Sequence, residues 1–240
     1  MKWLSRKPTI ITAVSVVVVL TAAVVLWNVS RSRTFQFFGD LVHRVETTEN
    51  VVALTFDDGP DPAGTQQVLD VLAAEGVTAT FFLVGRDLEE HPELGRRIAR
   101  AGHEIGNHTF SHERMFGVTP GFVAKEVEDT DAAIRRTGYS GAIHFRPPNG
   151  KKLFALPYYL EQHDRTTVMW DVEPDSAGTP PKDRVVSETL AQTKPGSIVL
   201  LHPMYAGRDQ TRQALRPIIA GLKERGFRFV TVSALLAARR

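Results

Sequence analysis

Two adjacent carboxylates, Asp57 and Asp58, follow the apolar run 51–56 and precede the turn pair Gly59-Pro60. Like charges in contact raise the proton affinity of one of them, unless a divalent cation takes one and a guanidinium partners the other. Successive side chains at a strand end diverge, so the pair can divide the work, with Asp58 as metal ligand and Asp57 as general base toward a water. Downstream, "NHTFSH" sets His108 and His112 four apart, so that on a helical turn both imidazoles face one way and share an ion. Two neutral imidazoles and one carboxylate leave positions open for water, as a hydrolytic zinc requires. The same donors suit a non-haem Fe(II) oxygenase, and these residues alone leave that open. Asp61, inside Pro60-Asp61-Pro62, suits a turn or helix cap instead. His103-Glu104 does not begin an HExxH protease motif, because residue 107 is Asn; His103 reads as a satisfied histidine of a buried strand.

Positioning such residues requires a scaffold, and the chain alternates from residue 51 onward. Apolar runs near 51–56, 80–84, 103–107, 143–146, 166–171, 197–202 and 227–232 read as strands. Helical spacing appears over 64–75, 92–101, 120–137, 153–163, 182–194 and 209–224, with Val123, Val127 and Ile134 forming the apolar side of 120–137 and Lys125, Glu126, Glu128 and Asp129 lying elsewhere. Seven strands alternating with helices imply a parallel sheet closed or nearly closed into a (β/α) barrel. In that architecture the reacting groups gather at the C-terminal strand ends. Those ends carry Asp57-Asp58, then His108 and His112, Arg146 in "FRPP", Trp170, Asp171, Glu173 and Asp175 in "WDVEPD", and His202 in "LLHPM".

The 240 residues are 42% hydrophobic and 23% charged, which suits one large domain with a substantial core. Lys and Arg interleave with Asp and Glu at a formal net charge of +2, so no nucleic-acid footprint is expected. The absence of cysteine excludes disulfides, thiol nucleophiles and Cys-ligated metal. No protein partner is indicated. Positions 8–27 hold no charged residue, enough at about 1.5 Å per residue to cross a hydrocarbon core of roughly 30 Å. Lys2, Arg6 and Lys7 precede the run, Arg31 and Arg33 follow it, and Trp27 stands where an interfacial aromatic would anchor. A single-pass anchor with an extracytoplasmic domain is expected, dividing the chain into 1–34 and 35–240; a cleaved signal peptide, with Thr21 and Ala23 as small residues before a cut, is the rival.

Taken in order, "TFDDGP", "HTFSH", "RPP", "WDVEPD" and "LLHP" resemble the motifs of the polysaccharide deacetylase family, carbohydrate esterase family 4 or NodB-homology proteins, over roughly residues 36–240. The resemblance implies a distorted (β/α) barrel and removal of acetyl groups from N-acetylated sugars with a divalent metal, Zn2+ first, Co2+ or another ion in its place. It puts the catalytic base at Asp57, metal ligands at Asp58, His108 and His112, the arginine holding the base at Arg146 and the general acid at His202. Two positions depart from the family pattern. Asn149 stands where Tyr often follows Arg-Pro-Pro; a backbone N–H there would still help bind an oxyanion. The fourth motif lacks its aromatic, and Asp175 rather than Glu173 is expected to tune His202. Pro148, Asn149, Trp170 and Leu200 are expected to meet substrate. The expected activity is N-deacetylation of an extracytoplasmic amino-sugar polymer such as peptidoglycan or a chitin-like glycan, with an O-acetyl esterase or a non-catalytic wall-binding module as alternatives.

Overall fold

The computed structural model describes residues 6–239. A helix, α1 (Arg6–Ser30), is followed by β1 (Leu41–Val42), β2 (Val51–Asp57), α2 (Thr65–Glu75), β3 (Thr80–Leu83), α3 (Gly85–Glu90), α4 (Pro92–Arg100), β4 (Glu104–Asn107) and α5 (Pro120–Arg136). Then come α6 (Ala155–Gln162), β5 (Thr167–Val168), α7 (Lys182–Gln192), β6 (Ile198–Leu201), α8 (Asp209–Glu224), β7 (Arg228–Val230) and α9 (Val232–Ala237). Within α1, Ile11–Ser30 is apolar, exposed and long enough to cross a membrane. Lys2, one of the cations expected to flank it, lies outside the described residues.

Among the described residues every ladder between named strands is parallel, and Arg44 makes a single antiparallel bridge to Ser197. One sheet runs β4-β3-β2-β6, with β7 beside the first half of β2, and a second pairs β1 with β5. The expected strand over 143–146 is only Phe145, whose single bridges to Asn107 and Thr167 link the two sheets, and Val172 bridges to Val199 in the same way. Thus the α/β class and the parallel pairing hold, while single bridges stand where a regular barrel would have continuous ladders. The segment is irregular because Pro147 and Pro148 follow Arg146 and cannot donate ladder hydrogen bonds. Three short elements, β1, α3 and α9, carry too few residues to show a period in the sequence.

Strand alternation sorts the side chains. Every residue of β2 is buried, as expected for a central parallel strand. Val52, Leu54 and Phe56 join the large core with Val68, Leu72, Leu215 and Ile219 of α2 and α8. Val51 and Ala53 face a smaller core with Phe82, Trp170 and Leu200. By the period of two, Thr55 and Asp57 share that second face. In the parallel register Phe56 pairs with Leu201 and Leu83 with Asn107, so the next residues, Asp57, His202 and His108, emerge along one rim.

Candidate active site

Asp57 ends β2 almost fully buried, and its charge is met at once: Arg146 Nη1 donates to Asp57 Oδ1 at 2.6 Å and to Thr55 Oγ1 at 2.8 Å. Arg146 is itself wholly buried, with Nε and Nη2 donating to the Val168 and Met169 carbonyls, both at 3.2 Å, and its guanidinium 4.1 Å from the Phe82 ring centroid. Burial pulls the Arg146 pKa below its ordinary value and Asp57 opposes that pull. A fully desolvated guanidinium that donates to acceptors on β2 and at the end of β5 is a fixed clamp, and it leaves Asp57 Oδ2 outside its hydrogen bonds.

The neighbouring carboxylate points elsewhere. Asp58 takes φ 66°, which turns its side chain away from that of Asp57 and toward the two histidines. Asp58 Oδ1 lies 3.1 Å from His112 Nε2 and 3.5 Å from His108 Nε2, yet it is buried without a hydrogen bond of acceptable geometry. The three ligand atoms lie within 4.8 Å of one another. Donor atoms that converge without pointing at each other fit a common cation between them, and an oxygen plus two imidazole nitrogens is a donor set that zinc or cobalt accepts. His108 Nδ1 lies 2.7 Å from the Arg146 carbonyl, which fixes that nitrogen as the donor and turns the Nε2 lone pair to the site.

The electrostatics agree with this division. Burial lowers the His108 pKa, so its imidazole is neutral as a ligand must be. The Asp58 carboxylate 3.1 Å away raises that of His112. Burial alone would raise the Asp58 carboxyl, but His112, His108 and His202 hold it below the usual carboxylate range.

His202 follows β6 and is tied to Asp175. His202 Nδ1 lies 3.0 Å from Asp175 Oδ1, and His202 N and Thr211 Oγ1 both donate to Asp175 Oδ2, at 2.8 and 3.2 Å. Burial pushes His202 down, but the hydrogen bond to Asp175 and the charges of Asp175, Asp57 and Asp58 outweigh it and push the pKa up to about 9. Glu173 is engaged elsewhere, by Trp170 Nε1 at 2.7 Å and Arg33 at 2.9 Å.

Asp57, Asp58, His108, His112 and His202 meet in a cavity of about 390 Å³ that Asn149, Trp170, Glu173 and Leu200 also line, with Arg146 and Asp175 behind its wall. Pro148 is buried at the start of the turn Pro148–Gly150 and is not among the lining residues. Asn149, at φ 53°, is exposed, and its Oδ1 accepts from Arg114 Nε at 3.0 Å. The hydrogen bonds that close this turn come from the Gly150 and Lys151 N–H groups, not from that of Asn149. Among the described residues, five other than glycine have positive φ, and Asp58, Thr109, His112 and Asn149 all belong to the site's loops. Such conformations cost about 1–3 kcal/mol each and persist where the surroundings over-determine them.

Some of the cavity wall was not expected. Ser176, Tyr205 and Arg208 also line it, the last held by the Asp175 and Gly178 carbonyls, both at 2.9 Å. Their only sequence signal is position, in the loops that follow "WDVEP" and "LLHP". Glu126 reverses its reading as a polar, outward residue of the fifth helix: it is buried, and its carboxylate accepts from Phe110 N at 2.9 Å, Ser111 N at 2.8 Å and Ser111 Oγ at 2.9 Å. It thereby braces the loop between His108 and His112. The bland expectations hold for two other groups: Asp61 Oδ1 accepts from Ala63 N at 2.7 Å, and His103 is buried with its pKa lowered by burial to about 4.

The family model for polysaccharide deacetylase matches residues 44–168, which include the Asp57/Asp58 pair, His108, His112 and Arg146. The chain belongs to the polysaccharide deacetylase family. It is similar to a peptidoglycan-N-acetylglucosamine deacetylase of Bacillus cereus, at 36% identity over 200 residues, 82% of this chain and 93% of the relative. A chitooligosaccharide deacetylase of a Bradyrhizobium species is 39% identical over 188 residues, 73% of this chain and 86% of the relative. The crystal structure of a peptidoglycan N-acetylglucosamine deacetylase in complex with 4-naphthalen-1-yl-N-oxidanyl-benzamide superposes with a TM-score of 0.77 at 34% identity, covering 82% of this chain and 94% of that one. As a polysaccharide deacetylase of carbohydrate esterase family 4, the protein is a hydrolase of a family whose deacetylases depend on a metal.

Proposed function

We propose that this polysaccharide deacetylase removes N-acetyl groups from an amino-sugar polymer outside the cytoplasm, a peptidoglycan or chitin-like glycan, with Zn2+ or Co2+ held by Asp58, His108 and His112. The observation that carries the reading is the convergence on one cavity of two buried, oppositely poised pairs, Asp57 with Arg146 and His202 with Asp175, beside those three ligands. A divalent ion held by Asp58, His108 and His112 would supply Lewis-acid polarisation of the acetyl carbonyl and would lower the pKa of a water.

The chain's own groups supply the proton traffic. Arg146 holds Asp57 Oδ1, and Oδ2 is left to accept the proton of the water as it attacks. The Asn149 N–H donates to the developing oxyanion. His202, kept protonated by Asp175 up to pH about 9, gives its proton to the departing nitrogen. The C–N bond breaks, and acetate and a free amine leave. Trp170 and Leu200 wall the acetyl group and exclude water from it. The stretch 8–27 anchors the protein in the membrane as a single pass, with residues 1–34 as anchor and link and 35–240 as the catalytic domain.

The test is acetate release by the full chain in detergent or nanodiscs, supplied with zinc or cobalt, on peptidoglycan fragments, chitooligosaccharides and acetylated xylan. Release with a stoichiometric new amine, abolished in Asp57→Asn and His108→Ala, is the expected result. Release from acetylated xylan alone, with no amine, makes the protein an esterase. No release from any glycan by a protein holding one metal per chain leaves only glycan binding.

A further inference from the structure

We infer that the catalytic domain has a second membrane contact beyond α1, an aromatic and cationic face that rests on the anionic headgroups of the bilayer its helix enters; this builds on the membrane-spanning reading of α1. Among the described residues, the large apolar side chains exposed outside α1 are Phe35, Phe37, Phe116, Phe154 and Tyr158. They are not scattered. Phe116 meets Trp27 of α1 edge-on at 5.9 Å; Phe37 stacks on Phe154 at 4.8 Å and meets Phe35 at 5.5 Å, while Tyr158 packs against Phe38 at 5.5 Å. Isolated exposed aromatics need no explanation, but a contiguous set joined to an apolar helix end does.

Three cations complete the face. Lys151 Nζ sits 3.7 Å from the centroid of the Trp27 ring, and its neighbouring charges are Arg31 and Arg114. Like charges drawn together with no acidic partner among the described residues, at the mouth of a membrane helix, match the anionic surface of a bilayer, while Trp, Phe and Tyr seat in its headgroup layer. The geometry holds this face rigidly to α1. Ser30 is buried, its carbonyl accepts from Lys152 N at 2.9 Å, and the Ser32 carbonyl accepts from Lys152 Nζ at 2.5 Å. The cavity opens beside the same face, since Arg114 bonds Asn149 and Arg33 pairs with Glu173 and lies over Trp170 at 5.1 Å. The substrate this arrangement favours is glycan at the membrane surface.

The absence of native cysteine permits a direct test. Single-cysteine variants of the full chain, Phe37→Cys, Phe154→Cys, Val18→Cys and Ala74→Cys, carry an environment-sensitive fluorophore in nanodiscs containing phosphatidylglycerol and a spin-labelled quencher lipid. Ala74 is exposed on α2, at the far end of the packing series α6, α5, α3, α4, α2. Several-fold stronger quenching at positions 37 and 154 than at 74 is expected. Replacing Arg31, Arg114 and Lys151 with Gln lowers it toward the level in pure phosphatidylcholine. Quenching at 18 with none at 37 and 154 overturns the second contact while leaving the anchor intact. No quenching at 18 overturns both, and identifies the anchor as the failure.

Discussion

Two carboxylates of the fourth motif differ at the scale of single residues, because only Asp175 reaches His202 while Glu173 is spent on Trp170 and Arg33. A histidine whose pKa is raised stays protonated until the pH passes the raised value. The general-acid limb of kcat/KM is therefore expected to fall near pH 9 in the native protein. Asp175→Asn removes the charge that raises it, so the limb moves toward the ordinary histidine value of 6.5, whereas Glu173→Gln leaves it in place. A pH–rate profile of the two variants decides this, and an unmoved limb in Asp175→Asn excludes His202 as the group that titrates. Asp57→Asn keeps the shape but loses the proton acceptor, and a drop in kcat of about 10²–10⁴ is expected from the usual worth of a positioned base.

At the scale of elements, the proposed metal ligands lie on loops whose backbones are held from behind. Glu126 of α5 offers three acceptor contacts to the 110–111 backbone and side chain, and Asn107 Oδ1 accepts from Thr109 N at 2.9 Å while its Nδ2 donates to the Val127 carbonyl at 2.9 Å. Glu126→Ala strands two N–H donors, at about 1–3 kcal/mol for each buried group left unsatisfied. It is also expected to weaken zinc binding about 10–100-fold, the usual effect of removing an outer-shell partner. Glu126→Gln, which keeps one acceptor, recovers part of both. Denaturant unfolding of the metal-free protein and a zinc titration separate the two effects, and unchanged zinc affinity in Glu126→Ala would remove the bracing role. Zinc affinity is further expected to fall with acidification, because the proton that Asp58 stabilises on His112 must leave before the nitrogen can bind an ion. Titrations at pH 6 and pH 8 measure it.

At the scale of the whole molecule, the link after α1 is packed as part of the domain. Lys152 is buried, its pKa is lowered by burial to about 8, and its ammonium reaches the Ser32 carbonyl. A fragment beginning at Phe35 loses that acceptor and the Arg33–Glu173 pair, while one beginning at Asn28 keeps both. The shorter fragment is expected to be less stable by about 1–3 kcal/mol, the cost of an unpaired buried donor, as a difference in urea midpoints at equal slope would show. Equal midpoints would place the domain boundary at 35. Zinc in hundredfold excess over its Kd is expected to stabilise either fragment by about 2.7 kcal/mol and to leave Asp58→Asn unchanged.

Period and chemistry were legible before any fold was known. Runs of apolar residues ended at Asp57, His108 and His202, and parallel strands must bring their C-terminal ends to one rim, so a candidate ligand set of Asp58, His108 and His112 was legible in residue type and order, while the pairing of Asp57 with Arg146 was implied by the family resemblance. Helix bounds such as 209–224 were equally legible, because a buried face repeats every 3.6 residues. What only the tertiary structure decided was which polar groups are dry. Glu126 and Lys152 carry the letters of surface residues, and nothing local marks the backbone donors and acceptors that claim them. The tie of Asp175 rather than Glu173 to His202 is the one expected from the sequence, and the structure makes it by bringing a distant strand end against one of two carboxylates only two apart. Burial and partner choice are sums over contacts far apart in sequence, whereas period and residue type are local; the first belongs to the fold, the second to the chain.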